Sequence, residues 1–210
     1  MPIKPAINPG TVDWSGENHG ILLKTDTDGP FSAMALFFRI AYSPAGRGCA
    51  LLLYEDPQSE NSLPSVRNVM ISNNELMARY LVDNFIAKLA AFRDCPAFND
   101  LQYVDAVSVS TSGDHRGRYS ETVDTKDFKV ELVWEELGEP VALELPPELT
   151  GPKDREMVTL LVESRKASIL IDGVATPGKP APRIQAGIET TTAFLYFAET
   201  WIDPAVLNDQ

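Results

Sequence analysis

Cysteine and histidine are scarce in this chain, with two residues of each among 210. None of the four lies at the spacing of a zinc-binding motif, so we expect no metal site and no bound cofactor. No uncharged apolar run reaches the roughly 18 residues that span a bilayer, and the N-terminal sequence lacks the apolar core of a signal peptide. We therefore expect a cytoplasmic protein in which Cys49 and Cys95 stay reduced.

Positive charge is also in short supply, since 18 Lys and Arg residues oppose 30 Asp and Glu residues and the formal net charge is −12. Nucleic acids and anionic membranes attract proteins that carry a positive field. The charge balance therefore argues against both as partners. The P-loop, the strand-linked GxGxxG and the GxSxG and HExxH motifs are missing too. A small-molecule ligand and further copies of this chain remain as possible partners.

Short apolar segments separated by turns rich in Gly and Pro run through most of the chain, which is typical of a β-rich protein. The segment 31–42 is apolar nearly throughout, as in a strand that is buried on both faces. The segment 128–135 alternates apolar and charged residues, as in a half-buried strand. The segments 157–163 and 167–171 flank a Ser-Arg-Lys sequence and predict a hairpin. The total is roughly ten strands.

One long helix is expected at about 73–92. The sequence from Ser72 to Glu75 has the form of a capping box, in which the serine hydroxyl and the glutamate satisfy two free backbone N–H groups. Pro96 cannot continue the helix and marks its end. Apolar residues recur at steps of three and four and form one face of this helix, namely Leu76, Tyr80, Phe85 and Leu89.

The order of strands, helix and strands lacks the βαβ repeat of a parallel doubly wound sheet. We therefore predict an α+β protein dominated by β structure. It contains a strongly curved antiparallel sheet, closed into a barrel or folded into a sandwich, with the helix against one side or end. Residues 1–19 contain three prolines and two glycines and predict an extended N-terminal arm. Residues 20–210 are expected to form a single β-rich domain.

Two charged residues interrupt strands that are otherwise apolar, and they are the first candidates for a functional site. Arg39 shares a strand face with Phe37, and Glu199 shares one with Trp201. Because a buried charge must be paired, Arg39 and Glu199 are each other's candidate partners. In a shared cavity Arg39 binds an anionic group, Trp201 contacts the ligand, and Glu199 acts as an acid or base. Alternatively, these faces are exposed or the two charges only neutralise each other.

The segment 111–120 is the second candidate, because it gathers His115, Arg116 and Arg118 around two glycines. Histidine is the common acid or base near neutral pH, and two arginines can bind a phosphate or a carboxylate. The alternative is a hairpin loop whose charged side chains only face water.

Three functions remain open. The first is a binding module that holds a small amphipathic or acidic ligand in a cavity of the curved sheet. The second is a metal-independent enzyme that uses Glu199 or His115 for acid–base chemistry. The third is a structural or oligomeric β protein. We favour binding over catalysis because no nucleophile or base is marked by its neighbours in the sequence.

Overall fold

The computed structural model describes residues 10–59 and 66–202, and β structure dominates them. One α-helix, α1 (Glu75–Asn84), and three single-turn 3-10 helices (Ile86–Lys88, Pro96–Phe98 and Pro147–Leu149) occur in these ranges. The α+β class is therefore confirmed. The strands are β1 (Thr11–Lys24), β2 (Ala33–Tyr42), β3 (Gly48–Tyr54), β4 (Asn68–Ser72), β5 (Gln102–Asp105), β6 (Ser108–Gly113), β7 (Arg118–Asp124), β8 (Lys129–Leu137), β9 (Val141–Leu145), β10 (Arg155–Ile171), β11 (Val174–Ala175), β12 (Lys179–Pro180), β13 (Pro182–Gln185), β14 (Ile188–Thr191) and β15 (Ala193–Ile202).

Most of these strands belong to one sheet, whose main path runs β5-β4-β3-β2-β1-β15-β10-β8-β7-β6. Neighbours along this path are antiparallel, except that β4 and β5 are parallel. The predicted strongly curved sheet is confirmed, and it is an open half-barrel rather than a closed barrel. The curl brings β2 against β7, although four strands separate them in the sheet: Arg39 of β2 donates to Glu121 of β7.

Strand β1 lies at the centre of the sheet, between β2 and β15. From Thr11 onward this corrects the predicted arm at 1–19, and residues 1–9 lie outside the described residues. Gly16, one of the two glycines that suggested an extended arm, instead permits the backbones of β1 and β2 to approach closely. Gly16 has φ 149° where the register with β2 shifts, and a Cβ there would lie 2.1 Å from the carbonyl oxygen of Arg39. Glycine in a strand commonly marks such an irregularity.

The central strands bury apolar side chains on both faces, as predicted for 31–42. On the inner face, which we define as the side enclosed by the curl, Phe37 and Leu51 share a core with Trp134 of β8. On the opposite, outer face, Leu36 and Leu52 share a core with α1 and β9. The helix therefore covers the outside of the half-barrel.

The helix is shorter than predicted, and its cap is a different residue. Ser72 is the last residue of β4, and the side chain of Asn74 accepts the capping hydrogen bond from the Met77 N–H at 3.2 Å. Leu76 is 69% exposed, whereas Phe85, just beyond the helix, is buried. No helix within the described ranges is both long and apolar enough to cross a membrane.

The hairpin predicted around Ser164 is wrong, because β10 continues through it as one strand of 17 residues. The first half of β10 pairs with β9, and the second half pairs with β8. At the change of partner, the Ser164 hydroxyl contacts the backbone carbonyl oxygens of Glu135 and Lys166, each at 2.8 Å. The polar residues therefore mark a change of partner strand, and the chain does not reverse there.

Candidate ligand-binding cavity

A cavity of about 480 Å³ lies on the outer face of the sheet. It is bounded by β1, β2 and β15 on the sheet side and by the segment that follows α1 on the other side. Most of its wall is apolar, and Leu36, Phe85, Leu89, Leu145, Met157 and Phe194 contribute to it.

Four of the polar side chains that line the same cavity come from strands: Asn18 from β1, Tyr196 from β15, and Arg183 and Gln185 from β13. Successive side chains of a strand point to opposite sides. Arg183 and Gln185 therefore both reach the cavity, whereas Ile184 between them is 75% exposed. Asn18 and Tyr196 are each only 4% exposed.

Several polar atoms of these four side chains are buried and have no partner at hydrogen-bond geometry in the described part of the chain, although the Tyr196 hydroxyl lies near enough to Arg183 and Gln185 to interact with both side chains. They are Asn18 Oδ1, Tyr196 Oη, Gln185 Oε1, and Nε and Nη2 of Arg183. Most buried polar atoms in proteins are paired, and an exception calls for an explanation such as a bound molecule. Their concentration in one cavity points to a bound molecule or ordered water as the missing partner.

The guanidinium of Arg183 is one of the charged groups that line the cavity. Within the described ranges no carboxylate forms an ion pair with it, and its Cζ lies 4.6 Å from the centroid of the Phe194 ring. Burial lowers the pKa of Arg183, and the neighbouring Tyr196 opposes this effect. Burial also raises the pKa of Tyr196, which Arg183 opposes.

No protein-family model, curated protein or solved structure shows significant similarity to this chain. What the protein does must therefore be argued from the cavity itself. Its described lining contains neither histidine nor cysteine. The hydroxyl of Thr150, on the wall, is already hydrogen-bonded to the carbonyl oxygens of Pro147 and Arg155.

Arg39, the first residue predicted to bind a ligand, lies in a separate polar cluster on the inner face. Its Nε donates to Glu17 Oε2 at 3.0 Å, and its Nη2 donates to Glu121 at 2.8 Å. The carboxylate of Glu121 is fully buried and also accepts from the hydroxyls of Thr111 and Tyr119. Burial raises the pKa of Glu121, and these donors oppose the shift.

The predicted pairing of Arg39 with Glu199 is wrong. Strand β1 lies between their strands and places Glu17 directly opposite Arg39, so the nearer carboxylate takes the position. Glu199 lies opposite Ser15 of β1 and borders a shallow groove. Trp201 is half-buried near the end of β15. None of Arg39, Glu199 and Trp201 lines the cavity.

His19 is the fully buried histidine of the inner cluster. Its Nδ1 accepts from the backbone N–H of Tyr196 at 3.2 Å, so the proton of the neutral ring resides on Nε2. Burial, followed by the charges of His115 and Arg39, lowers the pKa of His19 to about 3. The ring is therefore neutral at pH 7.

Ligand atoms of Glu17, His19 and Glu121 lie within 4.8 Å of one another, which is close enough for a metal ion. The chemistry of the group does not fit a metal, however. A metal-bound histidine donates its second N–H to a neighbour, whereas His19 accepts at Nδ1 and carries its proton on the atom that would face the metal. Arg39 already supplies positive charge to both carboxylates.

The predicted site at 111–120 is part of the β6–β7 hairpin, whose turn is closed by Asp114 accepting from the N–H groups of Arg116 and Gly117. Arg118 is ion-paired with Glu131 at 3.4 Å. His115 is exposed, and its ring packs on those of Tyr119 and Phe197. The hairpin thus joins the inner cluster, and none of its three candidate residues lines the cavity.

Sequence reasoning missed all four polar residues of the cavity. The available signal is the alternation of Arg183, Ile184 and Gln185, which predicts that the two polar residues share one side. It does not reveal that this side faces the cavity, because β13 and β14 form a small sheet of their own, and only the fold brings Arg183 against Phe194 of β15.

Proposed function

We propose that this protein binds a small amphipathic molecule in the cavity on the outer face of its half-barrel. The observation that carries the proposal is a mostly apolar cavity in which several buried polar atoms have no partner at hydrogen-bond geometry among the described residues. Ligand-binding sites commonly have volumes of roughly 300–1,000 Å³ and are mostly apolar, with a few polar groups that fix orientation. The volume of about 480 Å³ lies within that range.

The size of the chamber limits the ligand. A water-sized group occupies roughly 30 Å³ in a liquid. The volume of about 480 Å³ therefore corresponds to roughly 16 water-sized groups. A chain or ring system of eight to twelve carbons with one polar group is consistent with this limit.

Binding is favoured over catalysis by the placement of the candidate catalytic groups. Glu199 and His115 both lie away from the cavity, and the acidic residue on its wall, Glu148, belongs to the outer 3-10 turn. A ligand in the chamber would meet apolar side chains along its length and hydrogen-bonding groups at one end. This arrangement supports retention of a molecule without chemical change.

The decisive variants lie on one face of β9. Leu143 and Leu145 are both buried on the outer face, but only Leu145 lines the cavity. Leu145→Phe should fill part of the chamber and weaken binding of eight-carbon probes by at least about tenfold, measured by calorimetric titration. Leu143→Phe is the matched control and should change the dissociation constant by less than about threefold.

Native mass spectrometry of freshly purified protein provides an independent test. A reproducible extra mass that is present in the wild type and lost in Leu145→Phe supports the proposal. The proposal is wrong if the wild type binds no eight-carbon probe, or if the two phenylalanine variants weaken binding equally.

A further inference from the structure

We infer that the polar end of the ligand is a carboxylate and that Arg183 is the residue that binds it; this inference rests on the proposed function. The shape of the unpartnered donor set is the first argument. Nε and Nη2 of Arg183 are the two nitrogens on one edge of the guanidinium, and in the described structure both are buried with no partner at hydrogen-bond geometry, the Tyr196 hydroxyl being the nearby side-chain group. Two parallel N–H donors on one edge match the two oxygens of a carboxylate.

The charge around the cavity is the second argument. Three of its charged lining residues are basic, Arg93, Lys153 and Arg183, and Glu148 is the acidic one. This local excess of positive charge occurs in a chain whose net charge is −12. A cationic ligand would be repelled, and a neutral one would leave the buried guanidinium without a counter-charge.

The surroundings of Arg183 do not already contain that counter-charge. A second cavity, of about 590 Å³, is also lined by Arg183 and includes Glu163 and Glu189. Glu163 is engaged by Arg165 at 3.2 Å, and no carboxylate of the described residues lies within 4.0 Å of the Arg183 guanidinium nitrogens. The ring of Phe194 makes a cation–π contact with the guanidinium and supplies no counter-charge.

The other unpartnered atoms indicate what surrounds the carboxylate. The Tyr196 hydroxyl can donate to a carboxylate oxygen, as a phenol does in a charge-assisted hydrogen bond. Asn18 Oδ1 and Gln185 Oε1 are acceptors, and a bound water or a hydroxyl group on the ligand would donate to them. The apolar tail of the ligand would then extend along Leu36, Leu145 and Phe85.

The experiment compares octanoate, octan-1-ol and octylamine as probes of equal chain length. The wild type should bind octanoate about 10- to 100-fold more tightly than octan-1-ol, as expected for a hydrogen-bonded charge pair, and octylamine most weakly. Arg183→Met should remove this preference, weakening octanoate about 10- to 100-fold and changing octan-1-ol by less than about threefold. Arg165→Met, which replaces an exposed arginine of β10, is the matched control and should change neither value.

The outcomes separate this inference from the proposed function. Equal affinity of the wild type for octanoate and octan-1-ol, or an Arg183→Met variant that keeps the preference, overturns the carboxylate inference while the binding cavity stands. Binding of none of the three probes overturns both. If circular dichroism shows that Arg183→Met is unfolded, Arg183→Lys replaces it. Arg183→Lys keeps the charge but loses the paired donors, and it should weaken octanoate about tenfold with octan-1-ol unchanged.

Discussion

Removing the guanidinium of Arg39 tests the polar cluster of the inner face. Arg39→Met keeps the length of the side chain but leaves the fully buried Glu121 with only the hydroxyls of Thr111 and Tyr119 as donors. Breaking a buried ion pair destabilises a protein by about 3–5 kcal/mol. The Arg39 side chain is 37% exposed, so water screens part of the interaction. We therefore expect a loss of about 2–3 kcal/mol in the free energy of unfolding.

A double-mutant cycle measures the interaction itself, with urea unfolding followed by tryptophan fluorescence. Arg39→Met, Glu121→Gln and their combination should give a coupling energy of about 1–2 kcal/mol, as for side chains within one hydrogen-bonded network. The same cycle with Glu199→Gln is the control, because Glu199 forms no ion pair with Arg39 in the described structure, and its coupling should be close to zero. A coupling below about 0.5 kcal/mol for Glu121, or an equal coupling for Glu199, would refute this account of the cluster.

Three further predictions concern single residues. The pKa of His19 falls from 6.5 to about 3 in the folded protein, so the unfolded chain binds the extra proton in this range. The free energy of unfolding should therefore decrease as the pH is lowered from 6.5 toward 3, by up to about 1.4 kcal/mol per pH unit. In His19→Gln, the free energies of unfolding measured in urea at pH 6.5 and pH 4.5 should differ less than in the wild type. A difference equal to that of the wild type contradicts the prediction. Phe85→Ala should lower the free energy of unfolding by about 3–5 kcal/mol. Leu76→Ala, at an exposed position, should lower it by less than about 0.5 kcal/mol. Similar losses for the two variants in chemical denaturation would show that the wrong face was assigned to the core. Asn74→Ala should destabilise by about 1 kcal/mol through loss of the helix cap, and an unchanged urea midpoint would exclude a capping role.

The elements that the sequence predicts well are those whose side chains all have the same environment. The segment 31–42 is apolar on both faces, and no choice of face is needed to identify it as a buried strand. The helix start was harder to predict, because Ser72 and Asn74 are both good capping residues. The length of β4, which includes Ser72, decides between them. Similarly, the polar residues around Ser164 are typical of a turn, and only the change of partner strand explains them.

The candidate site was less predictable, because it depends on which surfaces meet. Alternation along a strand correctly places Arg39 on an inward face, but it cannot show that Glu17 lies opposite and takes the position assigned to Glu199. Arg183 is similar, since it belongs to a separate two-stranded sheet and contacts Phe194 of the larger one. The local pattern assigns a residue to one face of its own strand, whereas identifying its partner on another strand requires the sheet topology.

The central position of β1 and β15 has a consequence for how the chain folds. These neighbouring strands are far apart in sequence: the backbone N–H of Trp14 binds the side chain of Thr200, 186 positions away. During synthesis at about 5–20 residues per second, roughly 10–40 s pass between the appearance of the two residues. Over that interval β1 can pair with β2 but has an unpaired edge, which is a site where other chains can add. Such long-range pairing also favours folding in milliseconds to seconds rather than microseconds. The protein should therefore be most prone to aggregate while β15 is still missing, and a chaperone that covers the β1 edge would act at this stage.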